Sequence, residues 1–356
     1  MRLFKCQVCG NVLHFENTRC VKCDTTLGYL PEQNTLSALD PVGGEEALWS
    51  ARAAAGRGYR FCDNARQQAC NWLVPGESEH RFCLACRHNR TIPDISDPVN
   101  KEHWQKIEIA KRRAIYSFIR LRLPMPTRAE DPEKGLAFDF LADMPQGPQV
   151  MTGHDNGLIT LALAEADDAE RARRRTAMGE PYRALLGHFR HESGHYFWDR
   201  LVRDGGRLEE CRAAFGDDRQ DYGEALKRHY QHGTPADWQE NFVSTYATAH
   251  PWEDFAETWA HYLHIVDTLE MARALGIGIA PRLDREGDLS AGVDFDPYRI
   301  TDIHAVMEAW VPLTVAVNSL NRSMGIPDLY PFVLSAAVVA KLGFIQSLVH
   351  DKLPAG

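Results

Sequence analysis

The spacing of apolar and polar positions changes character near residue 95. Before it, apolar residues come in short runs broken by Cys, Gly, Asn and Asp, which predicts short strands over 2–6 and 27–30 with connectors over 31–44 and 93–99. A segment so poor in long apolar runs is expected to need metal to fold. Beyond it, Trp104, Ile107, Ile109, Ala114, Ile115, Phe118 and Leu121 recur at helical spacing over 101–123. Lys111-Arg112-Arg113 reads as the solvated face of that helix, and Pro124 and Pro126 end it. Short strands are predicted over 136–141 and 149–152, then a turn at Asp155-Asn156-Gly157 and a β-rich run over 158–163. Arg171-Ala172-Arg173-Arg174-Arg175 reads as a solvated helical turn. A continuous helix is predicted over 181–203 and a packed one over 252–262, with mostly helix beyond, loops at 276–297 and 325–331, and a core helix over 332–349. The fold class is therefore α+β: a cysteine-rich region over 1–95, then a mainly helical domain with a small sheet over 96–356.

Chemistry enters with His191-Glu192-Ser193-Gly194-His195. On a helix, positions i and i+4 share a face, so the two imidazoles address one point, as two ligands of a zinc ion do. Glu192 sits beside that point, placed as a general base. A catalytic zinc needs one more protein ligand. The run 252–262 offers Glu253, Glu257 and His261 as an i, i+4, i+8 stripe bedded among Trp252, Phe255, Trp259 and Tyr262. Buried carboxylates need a cation or hydrogen-bond donors. Either Glu253 or Glu257 suits the third position, with Glu253 preferred. The other acid then accepts the far ring N–H of a ligand histidine. Asp199, one turn beyond His195, reads as solvent-facing.

Eight of the nine cysteines lie before residue 90. Cys6, Cys9, Cys20 and Cys23 form two CxxC pairs, the pattern of a closed four-cysteine zinc site. Cys62, Cys70, Cys83 and Cys86 form a second set with one irregular knuckle, also read as a structural zinc site. Cys211 is a lone thiol without an assigned role. With the histidine centre, the expected complement is three zinc ions, one catalytic and two structural.

These motifs resemble those of the gluzincin metallopeptidases, in which HExxH is followed on a separate helix by a ligand glutamate and, four residues later, a second acid. The third-ligand helix is similar to that of anthrax lethal factor, whose E-F-F-A-E corresponds here to Glu253-Asp254-Phe255-Ala256-Glu257. That likeness also covers a tyrosine seven residues before the glutamate, here Tyr246 within Ser244-Thr245-Tyr246-Ala247, and implies that its hydroxyl steadies the oxyanion. Over its whole length the chain resembles bacterial zinc-binding metallopeptidases with an N-terminal zinc ribbon. The resemblance implies a zincin-like domain and peptide-bond hydrolysis, with Glu192 and Tyr246 catalytic and His191, His195 and Glu253 on the metal. It also implies an edge strand at 158–163 that pairs with substrate.

Forty basic against 49 acidic residues give a net charge of −9, which argues against a general nucleic-acid binder. The start, Met1 to Cys6, has no basic-then-apolar signal, and 332–349 is too polar to span a bilayer, so a cytoplasmic protein without membrane partners is expected. Expected partners are a peptide or protein substrate and a protein held by the ribbons. A different class of function fits the same motifs: an inactive scaffold whose ribbons grip a protein or nucleic acid.

Overall fold

The computed structural model describes all residues except 43–47, 144–146, 148, 172, 174–183, 285, 288 and 352–356. The chain divides into two compact units, one formed by Met1–Arg173 with Ala184–Phe189 and the other essentially by Arg190–Gly356.

The first unit opens with a hairpin of β1 (Phe4–Lys5) and β2 (Val12–Leu13), whose turn carries the first CxxC. Five antiparallel strands follow in chain order: β3 (Leu27–Leu30), β4 (Thr35–Val42), β5 (Leu48–Ala51), β6 (Gly58–Phe61) and β7 (Leu73–Pro75). β4 occupies much of the stretch expected to be a connector. Pro41 falls at its far end, opposite Trp49, while Leu36, Ala38 and Leu39 are buried. The region also has a real apolar core. Tyr29 and Trp72 pack with ring centroids 4.8 Å apart, and Phe15 sits edge-on to both.

α1 (Pro98–Leu121) starts a turn earlier than the apolar spacing predicted, because Asp97 caps it by accepting the Val99 N–H and Pro98 fits its first position. Its Lys111-Arg112-Arg113 segment is not a solvated face. Lys111 is fully buried and Arg112 nearly so, and only Arg113 reaches the surface, where it pairs with Glu16 at 2.6 Å. Lys111 bonds Glu108 at 2.9 Å and Asn89, and Arg112 donates to the Ala69 carbonyl. Glu108, on the same helix, supplies the opposing charge for both cations, and Asn89 and Ala69, distant in sequence, supply neutral acceptors, so groups that local spacing assigns to water are buried.

A four-stranded sheet completes the unit, in the order β10 (Gly153–Asp155), β11 (Leu158–Ala162), β9 (Ala137–Leu141), β8 (Asn89–Thr91). The expected strand at 149–152 is irregular chain, and β10 forms just after it. Asn156 (φ 45°) and Gly157 (φ 85°) make a tight turn that folds β10 antiparallel onto β11. This hairpin makes β11 an interior strand, paired on its other side with β9, so the expected edge strand over 158–163 is not an edge. Of the basic run at 171–175, residues 172, 174 and 175 lie outside the described residues, while Arg171 and Arg173 pair with Asp168 and Glu170.

The second unit is built around α5. Helix α2 (Leu185–Phe197), which enters this unit at Arg190, gives way to a π-helical turn at Trp198–Arg203 rather than continuing as the single helix expected, and the start of that expected helix lies outside the described residues. Two short helices follow, α3 (Leu208–Phe215) and α4 (Tyr222–His232), and then α5 (Pro251–Leu275), buried on nearly every side. α6 (Ile303–Ser323) and α7 (Ala336–His350) close the unit; the expected helix over 332–349 begins only after the Ser335 cap. By length and composition α6 is long and apolar enough to cross a bilayer, with a third of that stretch buried.

Candidate metal centres and active site

The convergence of α2 and α5 depends on two small residues. A Cβ on Gly194 would lie 2.8 Å from the Ala256 Cα, so the two backbones meet where only glycine fits. At the same crossing the Trp259 indole N–H donates to Ser193 Oγ (3.3 Å), and that hydroxyl donates to the Arg190 carbonyl (2.8 Å). The two central residues of the HExxH motif are thus its packing surface, and the outer ones face the site.

There His191, His195 and Glu253 present three ligand atoms that all lie within 4.8 Å of one another. Glu253 Oε2 is 3.0 Å from His191 Nε2 and 3.5 Å from His195 Nε2. A tetrahedral zinc with arms of about 2.0–2.2 Å separates its ligand atoms by about 3.3–3.6 Å. Glu253 Oε2 is buried and has no hydrogen-bond partner among the described residues. His191 gives its Nδ1–H to Glu257 Oε1 at 2.7 Å, which leaves the Nε2 lone pair facing a carboxylate oxygen. Two such atoms at 3.0 Å need a positive charge between them, either a proton on the ring or a metal ion. Burial works against charge on both groups, yet the carboxylates hold His191 well above its usual pKa and the histidines hold Glu253 well below its own. The residues fit a divalent cation.

The rest of the site surrounds this cluster. Ser244 donates to Glu257 Oε2 (2.6 Å), and Tyr222 donates to Glu253 Oε1 (2.6 Å). Trp252 lies over the His195 ring at 3.9 Å. Glu192 is buried, and the Tyr246 ring is 5.8 Å from that of His191. Burial first, then the charge of Glu253, pushes the Tyr222 and Tyr246 hydroxyls far up, with Glu192 adding to both, so each stays a protonated donor. Asp199 is largely covered rather than solvent-facing and bonds Arg203 at 2.6 Å, and His261 bonds Tyr330 at 2.6 Å within the core. Sequence reasoning missed Tyr222 entirely. Ser244 was in view beside Tyr246, but no spacing rule singled it out.

In the first unit the two cysteine sets each converge. Sγ separations are 3.7 Å for Cys6–Cys23, 3.6 Å for Cys9–Cys20 and 3.7 Å for Cys70–Cys83. Those are far too long for disulfides and close to the edge of about 3.8 Å in a tetrahedron with Zn–S arms of about 2.3 Å. Hydrogen bonds to Thr25 draw the Cys23 thiol down to about 6. Beside the second set, Cys86 approaches Glu108 (3.8 Å), and the charges of Lys111 and Arg112 face its thiols. Cys211 is buried, and burial pushes its thiol up to about 12.

Two four-cysteine clusters and a His–His–Glu centre define a zinc-binding protein. The sequence comparisons agree: residues 100–348 match the family described as "Putative zinc-binding metallo-peptidase", and residues 3–97 match a zinc-ribbon domain. The chain belongs to that metallopeptidase family. It is 40% identical over 355 residues to an uncharacterized protein of Mycobacterium bovis and to uncharacterized proteins of two Mycobacterium tuberculosis strains. Each match covers 99% of this chain and 97% of the relative. No solved structure matches it.

Proposed function

We propose that the second unit is a zincin-like, gluzincin-type metallopeptidase that hydrolyses peptide bonds, with His191, His195 and Glu253 holding zinc. The observation that carries this reading is the buried, unbonded Glu253 Oε2 set between two imidazole nitrogens, beside an HExxH acid. Zinc, when bound, supplies a Lewis acid that brings the pKa of water to about 7. Glu192 takes the proton released from that water and returns it to the leaving amine. The Tyr246 hydroxyl donates to the carbonyl oxygen as negative charge develops on it. Glu257 fixes the His191 tautomer, and Tyr222 and Ser244 orient the two carboxylates. Cys6, Cys9, Cys20 and Cys23, and separately Cys62, Cys70, Cys83 and Cys86, hold structural zinc, for about three ions per chain. The ribbons offer a surface for a protein partner, and nine unpaired cysteines suit a reducing cytoplasm.

The test compares wild type with Glu192→Gln in a cell lysate, reading new protein N-termini by mass spectrometry. Termini that arise with wild type and not with the variant are expected. An identical set from both proteins, each loaded with zinc, would overturn peptidase action and favour the scaffold reading.

A further inference from the structure

A cavity of about 380 Å³ lies between α4 and the segment joining Tyr246 to Glu253. One wall is Ala225, Arg228, His229 and His232; the facing wall runs from Ala247 to Pro251, with Phe215 and Phe242 behind. The size is that of a pocket for a side chain or small ligand. It adjoins the metal cluster through a single ring, since His229 packs on Tyr246 at 6.2 Å and Tyr246 on His191 at 5.8 Å.

Its charge is one-sided. The chain has more acids than bases, yet the lining holds an arginine and three histidines with no Asp or Glu. His250 is committed to structure: its Nδ1 accepts the Trp252 N–H (3.0 Å) and its Nε2–H donates to the Gln220 carbonyl (3.1 Å). His229 is half committed. Thr248 spends its hydroxyl proton on the Thr245 carbonyl (2.7 Å), so His229 Nδ1–H donates to Thr248 Oγ1 (3.2 Å) and its Nε2 stays available. Arg228 has no ion-pair partner among the described residues, although Lys227 beside it pairs with Glu224. The Arg228 guanidinium, exposed and unpaired beside this cleft, is suited to a carboxylate, which it binds in bidentate fashion.

We propose that this cavity is the specificity subsite of the enzyme and takes a carboxylate of the peptide substrate, with Arg228 as its ion-pair partner and His229 and His232 beside it. This rests on the metallopeptidase reading and adds the substrate class. The carboxylate has two possible sources, an acidic side chain or a free C-terminus.

A randomised decapeptide library, prepared with free and with amidated C-termini, distinguishes them. With wild type, Asp and Glu are expected to be enriched about tenfold at one fixed position from the cleaved bond, the gain of one charged hydrogen-bonding partner. Cleavage confined to the free-acid library near its end would assign the terminal carboxylate instead. Arg228 is exposed on its helix, so Arg228→Glu should fold normally and should exchange the acidic preference for Lys and Arg. Cleavage with an unchanged preference in that variant overturns the subsite while leaving the peptidase standing. Should wild type cleave nothing, the peptidase reading falls. The subsite is then judged by retention of the same library on immobilised Glu192→Gln protein. Acidic peptides held by it and released by Glu192→Gln/Arg228→Glu support the carboxylate site; equal retention refutes it.

Discussion

Gly194→Ala adds a single carbon, and its consequence can be worked from the helix crossing. The new Cβ would stand 2.8 Å from the Ala256 Cα and 3.2 Å from its Cβ. Carbon atoms pack best at about 3.5–4.0 Å, so α2 and α5 must part by roughly 1 Å. Overpacking of this kind costs about 1–3 kcal/mol. For a unit of this size, a loss of about 2 kcal/mol lowers Tm by about 4–8 °C. The larger effect falls on the metal. Ligand distances tolerate about ±0.2 Å, and the two histidines and Glu253 ride on the two helices being separated. Elemental analysis should therefore find about two zinc ions per chain in place of about three, with the cysteine sites still filled. Ala256→Gly should not rescue the variant, because the nearest obstacle is backbone. Full zinc content together with a wild-type Tm in Gly194→Ala would refute this account of how the site is assembled.

Glu253→Gln should strip the site of zinc, whereas Glu257→Gln should retain it with about 10–100-fold weaker affinity; the reverse order, read by competition with a chelator, would move the ligand one turn along α5. Tyr246→Phe should lower turnover about 10²-fold with zinc affinity unchanged, while unaltered turnover with a lower Tm would make Tyr246 purely structural. His88 is buried with Nδ1–H on the Leu136 carbonyl (2.9 Å), and burial draws its pKa down to about 4, against about 6.5 unfolded. The unfolded chain thus binds the extra proton first, so stability is full above pH 6.5 and falls towards pH 4, by on the order of 3 kcal/mol in all. His88→Gln should flatten the change in Tm between pH 7 and 5 relative to wild type, and parallel curves would exclude His88 as its source.

The parts of the site that could be read in the sequence are those in which geometry is local. His191 and His195 stand one turn apart, and so do Glu253 and Glu257, so each pair shares a face whatever the tertiary fold. The partners that orient them come from elsewhere. Tyr222 opens a short helix 31 residues before Glu253, and no periodicity links the two. Lys111 and Arg112 failed for the same reason: the groups that make their burial tolerable, Glu108 apart, are Asn89, Ala69 and a cysteine cluster brought up by the chain's return. β4 was hidden by Pro41 and by flanking turn residues, although four of its eight positions are buried. β11 was legible as a strand, but its interior place depends on a hairpin partner too short to show alternation.

The crowding of ribbon and α1 around the second cysteine set bears on inheritance. Tyr116 packs edge-on to Phe15, Arg113 holds Glu16, Arg112 caps the Ala69 carbonyl and Glu108 meets Cys86. The seam between the ribbon segment ending at 97 and the peptidase segment starting at 100 is therefore a seam in sequence only. A gene cut there would take Asn89 from Lys111, the Ala69 carbonyl from Arg112 and Phe15 from Tyr116, leaving two buried cations with Glu108 alone between them. Exchanging either piece alone would therefore expose surface that the other now covers.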